Sequence, residues 1–577
     1  MDLLWKLRLL AGPMRPFIAG KLADVVKHAV GRFRNSMNDR TLLHEGLHTS
    51  QKVFPLPSQQ WFEHNSQKMI AFASNMRAGK VQAYGIDSWH VGDVDPDNVD
   101  VRSVHELSRM HHWCAYALAA HIEPHKQAEW AHCFETEVKQ FIRSYDRKSI
   151  HWIFPMGVAL RVFSMLVAWD WIRRTGYEDA DLDRLIAAQA LEHGMQVYVN
   201  RESRGGLSTS HYSANLLGLL AVHAYVRESR GYQVRGSFVV KEIEREISRQ
   251  ILNDGMVQEA STSYHRHVVD LFTMMGVLLS SIGNGPSEGY ADALRRAIGA
   301  LQNLELIHMP LIGDNDDGMA MKLVGFEPST DATYDYARQL GVVPDVSSTN
   351  HTSYRSFGLD VWRGELGITL RNGPVGQFGK GGHAHHDQNS ITVSCKGHPI
   401  IVDPGTSLYT RSAVVRNAER AVHCHATMWP SDIHQGHIQQ GDKGLFWLPM
   451  FDVQRNVLQT DSAQWIGEVV HVSGVRHLRS VTFNSSISVI DCVDKLFDAA
   501  GSGIDGVLRF PFDSGVDVVL HDNSLVATAG DAQIEIHWQG AEASLEDIAI
   551  SHRFAETKPS IALLLCGSNI AWRLRIR

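Results

Sequence analysis

Three histidines and one aspartate occur within five residues in the segment Lys380-Gly-Gly-His383-Ala-His385-His386-Asp387. Neutral histidine is both a common metal ligand and a proton carrier, and so dense a group is hard to explain as accidental core residues. Alternate residues of a strand share a face, so we predict that His383 and His385 point the same way. The preceding glycines leave room for the backbone to approach a ligand. The segment is therefore a candidate for metal binding or proton transfer.

Further candidate metal ligands follow in the same half of the chain. Asp403 lies between apolar Val402 and a Pro-Gly pair, where burial of a carboxylate is costly unless it is paired or bound to metal. Together with His385 and His425 it supplies two nitrogens and one oxygen, a normal zinc set that leaves a position for water. Ligands this far apart cannot form a local finger, so a sheet must bring them together. The six cysteines form no CxxC pair, which argues against a cysteine zinc module and against a disulfide framework.

Two predicted helix starts carry residues suited to proton transfer. Ser210 and His211 follow a Gly-rich turn that includes 204–206, and Tyr264, His265 and Arg266 follow a run of Ser and Thr. Ser and Thr are favoured N-caps, so the simplest interpretation is two capped helices with packed rings. Tyrosine titrates near pH 10, but a neighbouring cation lowers this value and makes the phenol usable in proton transfer. His211 and Tyr264 are therefore candidate catalytic residues.

Helical segments must position these first-turn residues. From about residue 100 to residue 306, apolar residues recur at three- and four-residue spacing. The predicted helices are His125–Ser144, Phe154–Arg173, Ala180–Tyr198, His211–Arg230, Val240–Leu252, Tyr264–Ser281 and Tyr290–Leu306. Short links between them imply antiparallel neighbours, which fits either a bundle or an α/α toroid.

The pattern changes to strands after Val324. Residues 325–350 are predicted as a connector with one short helix. The predicted strands are Tyr354–Trp362, Leu366–Arg371, Ser390–Cys395, Pro399–Val402, Ser485–Val493 and Ile561–Leu565. Helices followed by strands indicate separate α and β domains. We divide the chain into an N-terminal extension (1–99), a helical domain (100–324), the connector (325–350) and a β domain (351–577).

Composition limits the partners. A chain of 577 residues is too long for one core, and its net charge of −8 gives no basic field for nucleic acid. An anionic polymer would need a local basic cleft. The first thirty residues favour an amphipathic helix over a cleaved signal peptide, and no later segment has the uninterrupted length of a membrane span. We expect no membrane span and favour the cytoplasm over the periplasm, and nothing in the sequence indicates an oligomeric state.

Taken in order, these segments resemble the heparinase II/III-like family of polysaccharide lyases. The resemblance covers roughly residues 100–430 and is carried by Glu259–Arg266, Pro310–Gly318, Gly382–Asp387, Ile401–Thr406, Arg416-Asn417 and His425-Ala-Thr427. Two further motifs, His105–Arg109 and Phe154 to Arg161, resemble the subgroup associated with surface-polysaccharide gene clusters.

The resemblance implies an α+β multidomain protein, with an incomplete α/α toroid followed by an antiparallel β-sandwich. It also implies a carbon–oxygen lyase that cleaves an anionic polysaccharide by β-elimination at a uronic acid. Tyr264 is then the expected acid, and the role of base is open between it and the histidines. His211 and His383 are expected near the substrate carboxylate or as the base. His385, Asp403 and His425 match the family's zinc ligands, and the ion is expected to be structural.

Substrate contacts follow from the same resemblance, with two departures. Ser210 stands where the family often has Asn, and a hydroxyl offers one hydrogen-bond donor where the amide offers two. His386 stands where many relatives have Asn or Ala. The expected substrate-binding residues are Ser210, His265, Arg266, Lys380, Tyr409 and Arg416, with Arg411 and Arg420 as further candidate contacts for an anionic chain.

Two alternative functions stay open. A glycoside hydrolase would need paired carboxylates, for which Glu259 and the group Asp314, Asp316 and Asp317 are available. A catalytically weakened polysaccharide-binding or assembly protein is the other alternative, motivated by Ser210. The sequence does not choose among heparan-type, chondroitin-type, alginate-like and capsular uronates.

Overall fold

The computed structural model describes residues 49–577 except 51, 82, 87–98, 204–206, 227–232, 343, 345–348, 442–443 and 451. The amphipathic helix predicted in the first thirty residues lies outside the described residues. The Gly-rich turn at 204–206 and the end of the helix predicted to reach Arg230 also lie outside them.

The chain divides into two compact units. Unit 1 contains the described residues up to Gln250 together with Arg266–Arg295 and the described part of 317–343. Unit 2 contains Ile251–His265, Arg296–Asp316 and the described residues from Pro344 to Arg577. Two stretches that lie within the predicted helical domain (100–324) are therefore grouped with the β-rich part of the chain. They are Ile251–His265 and Arg296–Asp316.

The described N-terminal part of the chain is helical. Its twelve α-helices are α1 (Gln59–Arg77), α2 (Val101–Leu107), α3 (His112–Ile122), α4 (Gln127–Ser144), α5 (Ile150–Ile153), α6 (Pro155–Arg174), α7 (Ala180–Val199), α8 (Ser210–Val226), α9 (Gln233–Gln250), α10 (Thr262–Ser281), α11 (Glu288–Glu305) and α12 (Asp331–Gln339). Helix α12 is the short helix expected in the connector. The predicted helices have counterparts here, with ends that differ by a few residues, except that α9 begins seven residues before the predicted Val240.

Helix α6 is central to unit 1. Proline at its first position suits a helix start, where the missing N–H costs nothing, and eighteen of its residues are buried. It packs against α3, α7 and α8. Among the described residues it is the one helix long and apolar enough to cross a membrane, and its apolar stretch is completely buried in the protein. Burial on all sides is typical of a core helix.

Unit 2 contains the antiparallel sheets. The seventeen strands of the described residues are β1 (His351–Tyr354), β2 (Leu359–Arg363), β3 (Leu366–Arg371), β4 (Ser390–Cys395), β5 (His398–Ile401), β6 (Met428–Trp429), β7 (Val453–Thr460), β8 (Gln464–His471), β9 (Arg476–Phe483), β10 (Val489–Phe497), β11 (Gly506–Pro511), β12 (Asp517–His521), β13 (Ser524–Ala529), β14 (Ala532–Gln539), β15 (Glu542–Ile550), β16 (Lys558–Gly567) and β17 (Asn569–Ile576). One further helix, α13 (Ala413–Glu419), lies between β5 and β6.

These strands form three sheets. The strand orders are β1-β2-β3-β4-β5, β12-β13-β14-β17-β10-β9-β8-β7 and β15-β16-β11-β6. Strands β8, β9 and β10 alternate between buried and more exposed residues, so one face of the large sheet packs on the core. A single apolar core joins residues of all three sheets, including Trp362, Trp465 and Leu563. The predicted fold class, helices followed by antiparallel sheets, is confirmed.

Three local predictions were wrong. The run from Tyr354 to Trp362 is two strands, because Gly358 has a φ of +81° and turns the chain where a side chain would collide with Gly373. The strand predicted from Ser485 begins at Val489, because the Asn484 side chain accepts hydrogen bonds from the N–H groups of residues 488 and 489. His383 and His385 do not lie in a strand, since β4 begins only at Ser390.

Candidate functional site

Tyr264 and His383 are in direct contact in unit 2. Tyr264 lies in the first turn of α10, where the Ser261 hydroxyl accepts a hydrogen bond from its backbone N–H at 3.2 Å. Its ring stacks on the imidazole of His383, with centroids 3.7 Å apart and planes 20° apart. Only 2% of Tyr264 and 5% of His383 are exposed. The first-turn position and the packed neighbour therefore hold the phenol in one orientation beside an imidazole.

Two buried carboxylates flank the imidazole of His383. Asp314 Oδ2 lies 2.9 Å from Nδ1, and Glu259 Oε2 lies 3.4 Å from Nε2. The Gln377 amide donates to the same Glu259 oxygen at 2.9 Å, which fixes that carboxylate. The backbone at Gly313 makes this approach possible, because it has a φ of +71° and a side chain there would lie 2.5 Å from the His383 carbonyl oxygen.

Asp314 is ionised and organises its surroundings. Burial would raise the pKa of its carboxyl, but Arg416 and hydrogen bonds from His383 and His385 hold the pKa well below its usual range. Arg416 donates from both terminal nitrogens, at 3.0 Å to Oδ1 and 2.7 Å to Oδ2. An ionised carboxylate has no proton to give, so Nδ1 of His383 must be the donor to Asp314. The other ring nitrogen of His383, Nε2, faces Glu259.

Asp314 also contacts His385, which connects this region to the predicted metal ligands. Its Oδ1 lies 3.0 Å from Nε2 of His385. A carboxylate that accepts from one ring nitrogen orients the other nitrogen of a metal-binding histidine, which is a common arrangement around metal sites. Asp314 therefore orients both His383 and His385. These histidines are brought together by the shared carboxylate and not by a common strand.

The predicted metal ligands are together and buried. His385, Asp403 and His425 each offer a ligand atom, and these atoms all lie within 4.8 Å of one another. The rings of the two histidines have centroids 5.2 Å apart. Asp403 Oδ2 lies 2.7 Å from His425 Nδ1. Burial opposes both charges, but the pair raises the pKa of His425 and lowers the pKa of Asp403.

The donor set fits a bound cation. Nδ1 of His385 and Nε2 of His425 are buried and make no hydrogen bond of ordinary geometry with the described residues. Buried polar atoms without a partner are costly, and a metal ion would relieve that cost. Two imidazoles and one carboxylate suit zinc and leave a position for water. The residues of this site would therefore hold Zn²⁺.

His211 and Ser210 lie at the start of α8 in unit 1. Nδ1 of His211 lies 2.8 Å from Oε1 of Glu202, and 39% of the His211 side chain is exposed. The amide of Asn215, one turn further along the helix, donates to the other Glu202 oxygen at 3.1 Å. Ser210 is completely buried. His211 is thus a partly exposed imidazole oriented by a carboxylate, whereas the Ser210 side chain does not face solvent.

The predicted substrate contacts differ in exposure. His265 is completely buried in unit 2 and therefore does not lie on an open binding surface. Tyr409 is also buried, and its hydroxyl donates to the Asn315 carbonyl at 3.0 Å. Arg266, in unit 1, and Lys380 are partly exposed, and the Lys380 ammonium lies 5.7 Å from the Trp447 ring.

Arg416 in α13 and Arg420 directly after it donate hydrogen bonds to other groups of the protein. Arg416 is buried, donates to Asp314 and to the Leu445 carbonyl, and so positions Asp314. Arg420 is buried as well and donates to Asn417 and to the carbonyls of residues 444 and 445. Arg411 is the exposed one.

Sequence reasoning missed three contributors to these sites. Gln377, which fixes Glu259, and Phe446, whose ring lies 6.2 Å from the His383 ring, belong to no recognisable motif. Glu202 precedes the capped helix and carries no pattern that predicts its pairing with His211. Asp314 lies in the family-like Pro310–Gly318 segment, but nothing in that segment indicates that its carboxylate contacts both histidines.

Comparison with known proteins identifies the family. The sequence model of one protein family, the heparinase II/III N-terminus, matches residues 44–320. A second family model, the heparinase II/III-like C-terminal domain, matches residues 347–575. The helical part and the antiparallel sheets thus belong to one known class of protein. The chain is a member of the heparinase II/III family.

Solved structures share this fold at low sequence identity. A crystal structure of heparinase III is 12% identical, with a TM-score of 0.69 over 91% of this chain and 87% of that chain. A mutant of the heparan sulfate lyase HepC from Pedobacter heparinus is 15% identical, with a TM-score of 0.55 over 91% and 84%. A chondroitinase AC lyase is 12% identical, with a TM-score of 0.51 over 91% and 81%. No curated protein sequence matches the chain.

Proposed function

We infer that the protein is a polysaccharide lyase that cleaves a uronic-acid-containing anionic polysaccharide by β-elimination. The product would carry a double bond between C4 and C5 of the uronate. The observation that carries this proposal is the stacking of Tyr264 on His383, with His383 held between Asp314 and Glu259. Family membership and the heparinase and chondroitinase folds support the reaction class.

The chemistry requires proton transfers at one sugar. A base must remove the C5 proton, an acid must protonate the O4 leaving group, and the uronate carboxylate must be neutralised as charge develops. We assign the acid to Tyr264, whose hydroxyl can donate a proton to O4. The base is Nε2 of His383 or the Tyr264 phenolate, because both groups are held in the same place and both can take a proton.

His211 is the candidate for neutralising the substrate carboxylate. Its imidazole is partly exposed, and Glu202 orients it through Nδ1. A partly exposed histidine can approach a substrate carboxylate and stabilise the charge that develops on it. We therefore propose for His211, by the family resemblance, the carboxylate-neutralising role to which an Asn amide contributes in many relatives at the position of Ser210.

Zinc is proposed as a structural ion. When bound by His385, Asp403 and His425 it would link three separate segments of unit 2. Asp314 touches both His385 and His383, so a bound ion would also restrict the orientation of His383. The proton transfers themselves are assigned to Tyr264 and His383.

The hydrolase alternative has weaker support. A glycoside hydrolase needs one carboxylate that donates a proton and another that reacts with water or sugar. Glu259 and Asp314 are both completely buried, and Asp314 is occupied by Arg416 and two histidines. Asp316 and Asp317 are buried as well. Glu259 and Asp314 are better explained as groups that position the imidazoles.

A screen of uronate polysaccharides, followed by ultraviolet absorbance, tests the proposal. Elimination creates a conjugated double bond that absorbs, whereas hydrolysis releases reducing sugar without such a product. Absorbance that rises in proportion to new reducing ends is the expected result. Reducing ends without absorbance would support the hydrolase, and binding without either signal would support a catalytically weakened binding protein.

A further inference from the structure

A second group of histidines in unit 2 has no role in the proposed reaction. His386, His423 and His434, which we call the histidine trio, form a connected cluster. The ring centroids of His386 and His434 are 6.0 Å apart, and those of His423 and His434 are 5.3 Å apart. Three imidazoles in succession are a set that suits zinc, copper and nickel.

His386 is the anchor of this cluster and has an unexplained environment. It is completely buried, and neither ring nitrogen makes a hydrogen bond with the described residues. A side chain at Gly436 would lie 3.1 Å from its Nε2, so the close backbone packs directly against that edge of the ring. A buried polar ring with two unpaired nitrogens costs free energy, and a ligand that binds a nitrogen would remove part of that cost.

One pair of rings in the trio, His423 and His434, already has about the spacing of metal coordination, whereas His386 and His434 are farther apart. Two imidazoles on one tetrahedral Zn²⁺, with nitrogen–metal bonds of about 2 Å, place their centroids about 5 Å apart. The pair His385 and His425, in the first metal site, has centroids 5.2 Å apart with planes tilted by 39°. The two pairs of the trio have similar tilts of 43° and 50°.

We propose that His386, His423 and His434 bind a second divalent transition-metal ion of the Zn²⁺ type, with water in the remaining position. Among the described residues, only the first site has ligand atoms all within 4.8 Å of one another. Binding at the trio therefore requires the three rings to move closer together. His434 is exposed on its loop, so its side chain has room to move towards the other two rings.

A second ion would stabilise the loop next to the Tyr264–His383 pair. The chain that follows His434 reaches Phe446, whose ring lies 6.2 Å from that of His383 and 4.8 Å from the Arg416 guanidinium. Fixing His434 to the buried His386 would hold the beginning of this loop to the core of unit 2.

Metal stoichiometry of the full-length protein tests the proposal. The wild type, His434→Ala and His423→Ala are saturated with Zn²⁺, dialysed against a weak chelator and assayed by elemental analysis. Both variants change partly exposed side chains and avoid the buried His386. We expect the wild type to retain one more Zn²⁺ per chain than either variant, whatever the occupancy of the first site. Equal stoichiometry in all three proteins would overturn the proposal.

A matched control removes an exposed histidine of the same loop. His437→Ala lies three residues from His434 and is expected to retain as much Zn²⁺ as the wild type. Loss of the ion in this variant, with retention in His434→Ala, would refute the assigned ligands. Thermal unfolding gives a second measurement, since added Zn²⁺ should raise the Tm of the wild type more than that of His434→Ala.

Discussion

The phenol ring of Tyr264 lies flat on the imidazole of His383, with 3.7 Å between the centroids. Stacking depends on the ring, whereas proton transfer depends on the hydroxyl. The two contributions of Tyr264 can therefore be separated by a substitution that removes one oxygen atom and leaves the ring in place.

Tyr264→Phe is expected to abolish elimination while the fold is preserved. General acid–base groups contribute about 10²- to 10⁴-fold to rate, so kcat should fall by at least this order. The stacked ring remains, and the Tm should stay close to that of the wild type. Initial rates from ultraviolet absorbance and a thermal melt measure the two effects. Near-normal turnover would remove Tyr264 from the mechanism.

Asp314→Asn is expected to destabilise unit 2. It removes the charge that pairs with the buried Arg416 and disturbs the acceptor for His383 and His385. Breaking one partner of a buried ion pair costs about 3–5 kcal/mol. Urea unfolding should show the loss as a lower midpoint.

Asp491→Asn is the matched control for Asp314→Asn. It breaks a pair with Arg573 in which both side chains are more than half exposed. Exposed pairs contribute little to stability because solvent screens them, so the urea midpoint should hardly move. Equal effects of the two substitutions would contradict the central position given to Asp314.

Chelation is expected to lower the Tm if the site of His385, Asp403 and His425 holds structural zinc. An ion that binds only the folded state, at a free concentration a thousand times its Kd, stabilises that state by about 4 kcal/mol. The fall should be reversed by Zn²⁺ and should be smaller in Asp403→Asn, which lacks one ligand. Elemental analysis that finds no metal, together with an unchanged Tm, would exclude the zinc proposal.

The order of elements was predictable because it depends on local patterns. Helical periodicity extends over whole helices such as α6 and α7, and strands such as β3 and β4 have the predicted bounds. The errors occur where a single residue decides the backbone. Gly358 divides one apolar run into two strands, and the Asn484 side chain delays the start of β10.

The candidate site was predictable in its residue types and less so in its connections. The density of histidine around His385 indicated a candidate metal-binding segment, and the helix caps indicated the position of Tyr264. Long-range pairing does not follow from spacing, because Asp314 meets His383 across 69 residues. Ile251–His265 and Arg296–Asp316 belong to unit 2, although the residues between them belong to unit 1. Spacing in the sequence does not reveal this grouping either, because it depends on tertiary contacts.

Asp270 should make the stability of unit 1 depend on pH. Burial raises the pKa of this carboxyl from 3.8 to about 6, although Thr333 and the Ala320 backbone donate to it. The folded state therefore holds a proton between about pH 4 and 6 that the unfolded state has released, so stability is lost as pH rises through this window. The shift corresponds to about 3 kcal/mol above pH 6. Asp270→Asn keeps a neutral group of the same shape and does not titrate. Its Tm relative to the wild type should rise from pH 4 to pH 7, and a difference that stays constant over this range would show that Asp270 is ionised throughout.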